Sequence, residues 1–254
     1  AVIGRSMTNV VKTAIELGYL SIPKGTLIEI GEIKNYTDEQ LVIIMTGSQG
    51  ETMSALSRIA QSEHRQVEIK PSDKVIISAS PIPGNEKSVY KVINELLKKG
   101  ADKVSVNSSV LKDPGLIDRL AAAFGKQCVV VAVDARRDGE EWRVYSHGGR
   151  VATDRELFSW VKEAEERGAG EILFTSMDHD GTHQGFACEA TGRVADLVNI
   201  PVIASGGAGC PDDFYEALTR GKADAVLAAG VFHFGQIRIP ELKCFLKGKG
   251  IVVR

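Results

Sequence analysis

Residues 129–137 read VVVAVDARR, an apolar run closed by Asp134 and two arginines. Five apolar residues in a row are too few for a buried helix and suit a strand covered on both faces, as in a parallel sheet. A carboxylate directly after the run lies where that strand leaves the sheet. The same kind of run recurs on either side. Strands are expected to start near Ala1, Leu41, Lys74, Lys103, Cys128, Glu171, Pro201 and Asp224, about 32 residues apart on average, close to the length of a βα unit. Helical patterns fill the intervals. Val89, Val92, Ile93, Leu96 and Leu97 line one face of a helix that Asn85 can cap, with Lys98, Lys99 and Gly100 at its end. Trp160, Val161 and Ala164 belong to a helix stopped by Gly168. Pro211 and Asp212 open another, which turns Phe214, Ala217 and Leu218 inward and closes at Gly221. Alternating strand and helix imply an α/β fold, and eight such units suit a (βα)8 barrel.

The 254 residues carry 31 basic and 33 acidic side chains, with 43% apolar and 25% charged residues, which leaves room for one large domain or two small ones. A net charge of -2 gives no overall attraction to nucleic acid or an anionic membrane. The longest apolar runs, such as 128–133, fall far short of the roughly 20 residues that span a bilayer. The first residues carry no basic segment followed by a signal-like apolar stretch, so a cytoplasmic setting is expected. Cys128, Cys188, Cys210 and Cys244 form no C-x-x-C pair, and neither a zinc knuckle nor a disulfide framework is indicated. GADKV at 100–104 recurs as KADAV at 222–226, offset by 122 residues. Either the fourth and eighth strands are equivalent positions, or Ala-Asp is simply a common way into a buried strand.

Residues 1–99 resemble the β-CASP region of ribonuclease J enzymes, through GRSM at 4–7, TGSQGE at 46–51, ALSRIA at 55–60 and SPIPGNE at 80–86. Residues 100–254 resemble the cyclase subunit of imidazole glycerol phosphate synthase, a (βα)8-barrel enzyme of histidine biosynthesis. The carriers are ADKVSVN at 101–107, VVVAVDARR at 129–137, GAGEILFTSMDHDGT at 168–182, IPVIASGGAG at 200–209 and VFHF at 231–234. Together they imply a chimera: three βα units from a Rossmann-like segment, then five from a barrel, forming one (βα)8-like domain over 1–254. Ribonuclease J chemistry uses a histidine and aspartate cluster of the H-x-H-x-D-H kind to hold two zinc ions. Neither that cluster nor the family's Ser-Gly-His segment is in the sequence, so RNA cleavage is not expected. His179 and His183 stand four apart in a glycine-containing loop rather than on a helix, which argues against a metal site. No metal or cofactor is expected.

Asp134 sits at the strand end that carries the active site in βα barrels. Position alone leaves two readings open, a general acid or base and a loop aspartate paired with Arg136 or Arg137. The cyclase resemblance implies the first, since the matching aspartate is one of two catalytic carboxylates. The other belongs at the end of the first strand, where this chain has Gly4, Arg5 and Ser6 and no acid. Asp180 matches a family residue near the substrate and is the candidate second carboxylate. Asp178 and Asp180, ahead of Gly181, also suit a plain turn.

Ser205 to Gly209 form a glycine-rich turn after the seventh strand, and Ala229 and Gly230 follow the eighth. Backbone amides there are the usual phosphate site of such barrels. Gly181, Gly206, Gly207, Ala229 and Gly230 make the expected set for a phosphorylated small molecule. The resemblance implies a second phosphate site, matched by Asn107 and Ser108. Its other half is a triple-glycine turn in the family and SASPIPGN here. TGSQGE could hold an anion before a helix or serve only as a βα turn. Asp102, Lys103 and Glu171 lie at strand starts, on the barrel floor where the family docks a glutaminase subunit. Only Lys103 and Glu171 match its charged ring, which counts against docking, and a floor salt bridge would explain the same pair.

Overall fold

The computed structural model describes residues 1–47, 51, 54–71, 73–77, 86–99 and 101–253. They fall into two compact units, Ala1–Asp73 with Pro81–Asp102, and Lys74–Ser80 with Lys103–Arg254. Asn85, Gly100, residues 48–50 of TGSQGE and residues 80–85 of SPIPGNE lie outside the described residues.

The first unit contains β1 (Val2–Ile3), α1 (Arg5–Glu16), two 3-10 turns at Ile30–Asn35 and Asp38–Gln40, β2 (Ile44–Met45), α2 (Ala55–Ala60) and α3 (Glu86–Lys98). β1 and β2 pair in parallel, with Val2 opposite Ile44 and Ile3 opposite Met45. Ile3, Ala55 and Ile59 are buried together, with Met45 and Val67 packed against them. ALSRIA forms α2. Its start is fixed by Ser54, whose Oγ accepts the Ser57 N–H at 3.3 Å. The apolar stripe of α3, Val89, Val92, Ile93, Leu96 and Leu97, is buried as its spacing requires.

The second unit opens with β3 (Lys74–Ile76), β4 (Lys103–Val106), α4 (Ser108–Lys112), α5 (Gly115–Phe124) and β5 (Val129–Asp138). It continues through β6 (Glu141–Ser146), β7 (Val151–Glu156), α6 (Leu157–Glu166), β8 (Glu171–Ser176), α7 (Cys188–Leu197), β9 (Val202–Ser205) and α8 (Pro211–Thr219). It ends with β10 (Ala225–Leu227), α9 (Gly230–His233) and α10 (Ile239–Gly248). The parallel path runs β3-β4-β5-β8-β9-β10, in chain order once the β6–β7 hairpin is set aside. Consecutive strands joined by helices in one parallel sheet are the wall of a βα barrel. The fold is thus α/β and (βα)8 barrel-like, and each of the eight expected strands is present.

Val129, Val130, Val131 and Val133 are all buried, so β5 is covered on both faces, as its unbroken apolar run implies. α6 ends at Gly168, whose φ of 107° admits only glycine readily and whose N–H donates to Glu165 O. α8 starts at Pro211 and buries Phe214 and Ala217, which join Phe186, Val231, Leu242 and Leu246 in one apolar cluster. No helix among the described residues is long and apolar enough to cross a membrane.

One feature of the fold is absent from the strand expectations. β5 runs past its apolar segment to Asp138 and returns as β6 and β7. Asp138 faces Glu141 across a two-residue turn with Gly139 at φ 64°. Ala135 opposes Val144, both fully buried, while Asp134 opposes Tyr145 on the other face.

Candidate functional site

The carboxyl ends of β4, β5, β8, β9 and β10 gather the candidate residues of the second unit. Asp134 is half-buried near the end of the apolar part of β5. Its Oδ2 accepts a hydrogen bond from Asn107 Nδ2 at 2.9 Å. Burial raises its carboxyl above the ordinary aspartate range, the Asn107 hydrogen bond pulls it back in part, and the negative charge of Asp180 raises it further. Asp134 and Asp180 are therefore electrostatic neighbours. Asn107 Oδ1 is buried without a protein partner among the described residues. A carboxyl that holds its proton more tightly than usual is suited to general acid and base work near neutral pH.

Arg136 and Arg137 do not neutralise Asp134. Asp178 takes both, accepting the Arg137 backbone N–H at 2.8 Å and pairing with Arg136 Nε at 3.4 Å. Asp178 therefore braces the loop after β8 to the extension of β5 and leaves Asp134 to Asn107. The loop is further fixed by Ser176, whose carbonyl accepts the Asp180 N–H at 2.9 Å and whose Oγ bonds His179 Nδ1 at 2.9 Å.

The glycines of the 205–209 turn are required by close packing on this loop. A Cβ on Gly206 (φ 90°) would lie 2.7 Å from Ser176 O and 3.3 Å from Asp180 Cβ. One on Gly207 (φ 112°) would lie 2.0 Å from Gly185 O. The Gly185 N–H donates to Gly207 O at 2.8 Å, locking the two segments together. Gly209 and Cys210 donate their N–H groups to Asp213 Oδ2, each at 2.8 Å, which turns the chain into α8. The amides of Gly207, Ala208 and Gly230 meet no protein acceptor among the described residues. Ala229 starts α9 without a side-chain cap. These donors are the kind an anion takes. A Cβ on Gly181 or Gly230 would meet nothing within 4 Å, so space is open around both.

A profile described as the histidine biosynthesis protein family matches residues 88–238, more than half of the chain. The chain belongs to that family. A second profile, the β-CASP domain of ribonuclease J, matches residues 1–96. The imidazole glycerol phosphate synthase subunit HisF of Bacteroides fragilis is 59% identical over 162 residues, 64% of this chain and 65% of that protein. The subunits of the same name from Flavobacterium psychrophilum and Dehalococcoides mccartyi are 60% and 55% identical over 159 residues, each alignment covering 63% of both chains. The chain thus spans slightly less than two thirds of the length of these relatives.

Within this histidine biosynthesis family chain, the remaining candidates are placed as follows. Ser108 Oγ accepts the His147 N–H at 2.9 Å, so the hairpin loop is tied to the end of β4. His147, at φ 58°, was not among the sequence candidates, and only the glycines that follow it hinted at a tight loop. Asp213 was also missed, although an acid three residues after a helix start is the mark of a capping box. At the opposite ends of the strands, Lys103 Nζ pairs with Glu171 Oε1, both partly buried. The Asp102 N–H donates to Asp73 O, and its side chain is exposed. Glu171→Gln should cost about 1–2 kcal/mol, between the surface and buried limits for breaking one half of a pair, whereas Lys103→Met with Glu171→Leu should recover most of it. Denaturant midpoints of the three variants check this, and a double variant less stable than the single one would count against a structural pair.

Proposed function

We propose that this chain is a barrel related to the imidazole glycerol phosphate synthase cyclase, with a phosphate site at Gly206, Gly207, Ala229 and Gly230 and an acid–base pair of Asp134 and Asp180. The reading is carried by Asp134: a carboxyl pushed up by burial, held by Asn107, within the field of a second carboxylate, and two strands away from a glycine turn whose amides meet no acceptor among the described residues. In this reading Asp134 gives and takes the proton at the reacting atoms, and Asp180 substitutes for the acid that the first strand lacks at Gly4, Arg5 and Ser6. Asn107 holds the carboxyl in one orientation. The anion of the substrate sits on backbone donors, with Gly181 leaving room beside it.

Turnover is expected to be slow, because Asp180 is exposed and Asp134 works without the family's first-strand partner. Asn107 and Ser108 already bond Asp134 and His147, so they contribute little to a second phosphate site. Ammonia comes from solution in this account, since only Lys103 and Glu171 of the docking ring are present and they pair with each other. Calorimetric titration with inorganic phosphate and ribose 5-phosphate, beside ammonia-dependent conversion of the bisphosphorylated aminoimidazole carboxamide ribotide, tests the reading. Binding of both phosphates with slow conversion is expected. Binding without conversion overturns the catalytic half and leaves a phosphate-binding scaffold, whereas no binding overturns the whole.

A further inference from the structure

Two loops of the second unit meet at the glycine turn, and one side chain joins them. The loop at 177–187 leaves β8, and the turn at 206–210 leads from β9 into α8. The two histidines of the first loop have separate duties. The His179 ring bonds Ser176 Oγ at 2.9 Å, whereas His183 Nδ1 lies 3.1 Å from Ala208 O. A carbonyl oxygen has lone pairs and no proton, so His183 Nδ1 carries the hydrogen and donates it. His183 sits at φ 58°, a left-handed conformation uncommon outside glycine, and a Cβ on Gly209 would lie 2.3 Å from the His183 carbonyl oxygen. The ring is thus brought to Ala208 by backbone that packs against the turn itself.

What this bond fixes follows from the shape of the peptide. In a trans peptide unit the C=O and the N–H point in opposite directions. The 208–209 unit is held at both ends, its oxygen by His183 and its Gly209 N–H by Asp213 Oδ2 at 2.8 Å. The 207–208 unit is held at one end only. Gly207 O accepts the Gly185 N–H at 2.8 Å, and the Ala208 N–H, on the far side, meets no protein acceptor among the described residues. The two units share the Ala208 Cα, so fixing the second removes the rotation by which the open amide could swing away. The geometry points to His183 as a positioning residue: its Nδ1–H locks the 208–209 peptide and thereby aims the Ala208 amide at the anion. The inference rests on the phosphate reading above and adds to it the side chain that sets the direction of a donor. His183 is exposed, so its replacement opens no cavity in the core.

The bond can be tested without any ligand by the nitrogen NMR shifts of the imidazole, which tell a ring protonated at Nδ1 from one protonated at Nε2. The neutral His183 ring, assigned by the signals lost in His183→Asn, should carry its proton on Nδ1; a proton on Nε2 alone overturns the inference. Calorimetric titration with inorganic phosphate then compares the full chain with His183→Ala, His183→Asn and Thr182→Ala, each below its Tm. His183→Ala should bind phosphate about three- to tenfold more weakly, the size of one net hydrogen bond. Asparagine carries an amide nitrogen on the same Cγ and accepts the left-handed backbone, so His183→Asn should stay within about twofold of the parent. Thr182→Ala removes the bond from Thr182 Oγ1 to His179 O at 2.7 Å, which loosens the loop without touching the turn, and should leave the affinity unchanged. His183→Ala binding as tightly as the parent, or either of the other two variants binding as weakly as His183→Ala, overturns the assignment of His183. A parent that shows the Nδ1 proton yet binds no phosphate overturns the phosphate reading itself, and with it the site on which the assignment depends.

Discussion

Replacing Asp134 with asparagine is expected to lower ammonia-dependent turnover by about 10²–10⁴, the usual contribution of a positioned general acid or base, with little change in affinity for inorganic phosphate. The substitution keeps the shape of the side chain and an oxygen that accepts from Asn107 Nδ2, so the hydrogen bond at 2.9 Å need not be lost. What it removes is a transferable proton. The variant also has a stability signature whose sign is fixed by the direction of the shift. Burial raises the folded carboxyl above its ordinary value, the Asn107 bond opposes this and Asp180 adds to it. The folded state therefore binds more protons than the unfolded chain between the two values. Stability owed to Asp134 is fully present below the unfolded value, near 3.9, and is lost as pH rises through the folded value. Asp134→Asn carries no charge to bury, so it should be more stable than the parent at neutral pH, with the advantage shrinking in acid. Thermal midpoints across pH 3–8 (roughly the range in which a shifted carboxyl titrates) check the sign. A variant less stable at neutral pH and unchanged in turnover would show Asp134 to be a structural acceptor for Asn107.

Much of this arrangement is legible in the sequence, for identifiable reasons. A strand buried on both faces must be apolar at every position, so Val129–Val133 declares itself, and Asp134 marks where only one face, that of Ala135, stays fully buried. The helices declare themselves by periodicity, as the buried stripe of α3 illustrates. The hairpin is harder to see because it is buried on one face only. In Trp142, Arg143, Val144 and Tyr145 the inward residues alternate with outward ones, and the Asp138–Gly139 turn is its clearest sign. Partnerships between elements leave even less trace. Asp178 and Asp180 look alike in the chain, yet one is consumed by Arg136 and the Arg137 amide while the negative charge of the other acts on Asp134. Position along a strand can be read locally. Which carboxylate meets which cation depends on how far β5 extends past the sheet, and that is set by the hairpin.

The glycine turn offers the sharpest separation between a phosphate cradle and a merely tight bend, because the two roles are carried by different atoms. The Cα of Gly207 faces Gly185 O, whereas its amide meets no protein acceptor among the described residues. Gly207→Ala should thus destabilise the second unit by about 3–5 kcal/mol, combining backbone strain at φ 112° with a Cβ placed 2.0 Å from a carbonyl oxygen. Relief by separation is blocked by the Gly185 N–H bond to Gly207 O. Both tryptophans, Trp142 and Trp160, lie in the second unit, so their fluorescence during heating follows this loss, expected as a fall in Tm of roughly 10 °C. Gly148→Ala is the control. It too has a positive φ, 63°, but its Cβ would meet nothing within 4 Å, and it should cost only about 1 kcal/mol. If Gly207→Ala proved no worse than Gly148→Ala, the two loops would not be packed as closely as their backbone geometry requires. If instead Gly207→Ala were strongly destabilised yet bound phosphate normally below its Tm, the amides of the turn would have kept their place despite the added Cβ, whereas loss of phosphate binding at that temperature would tie the anion to the geometry of this turn.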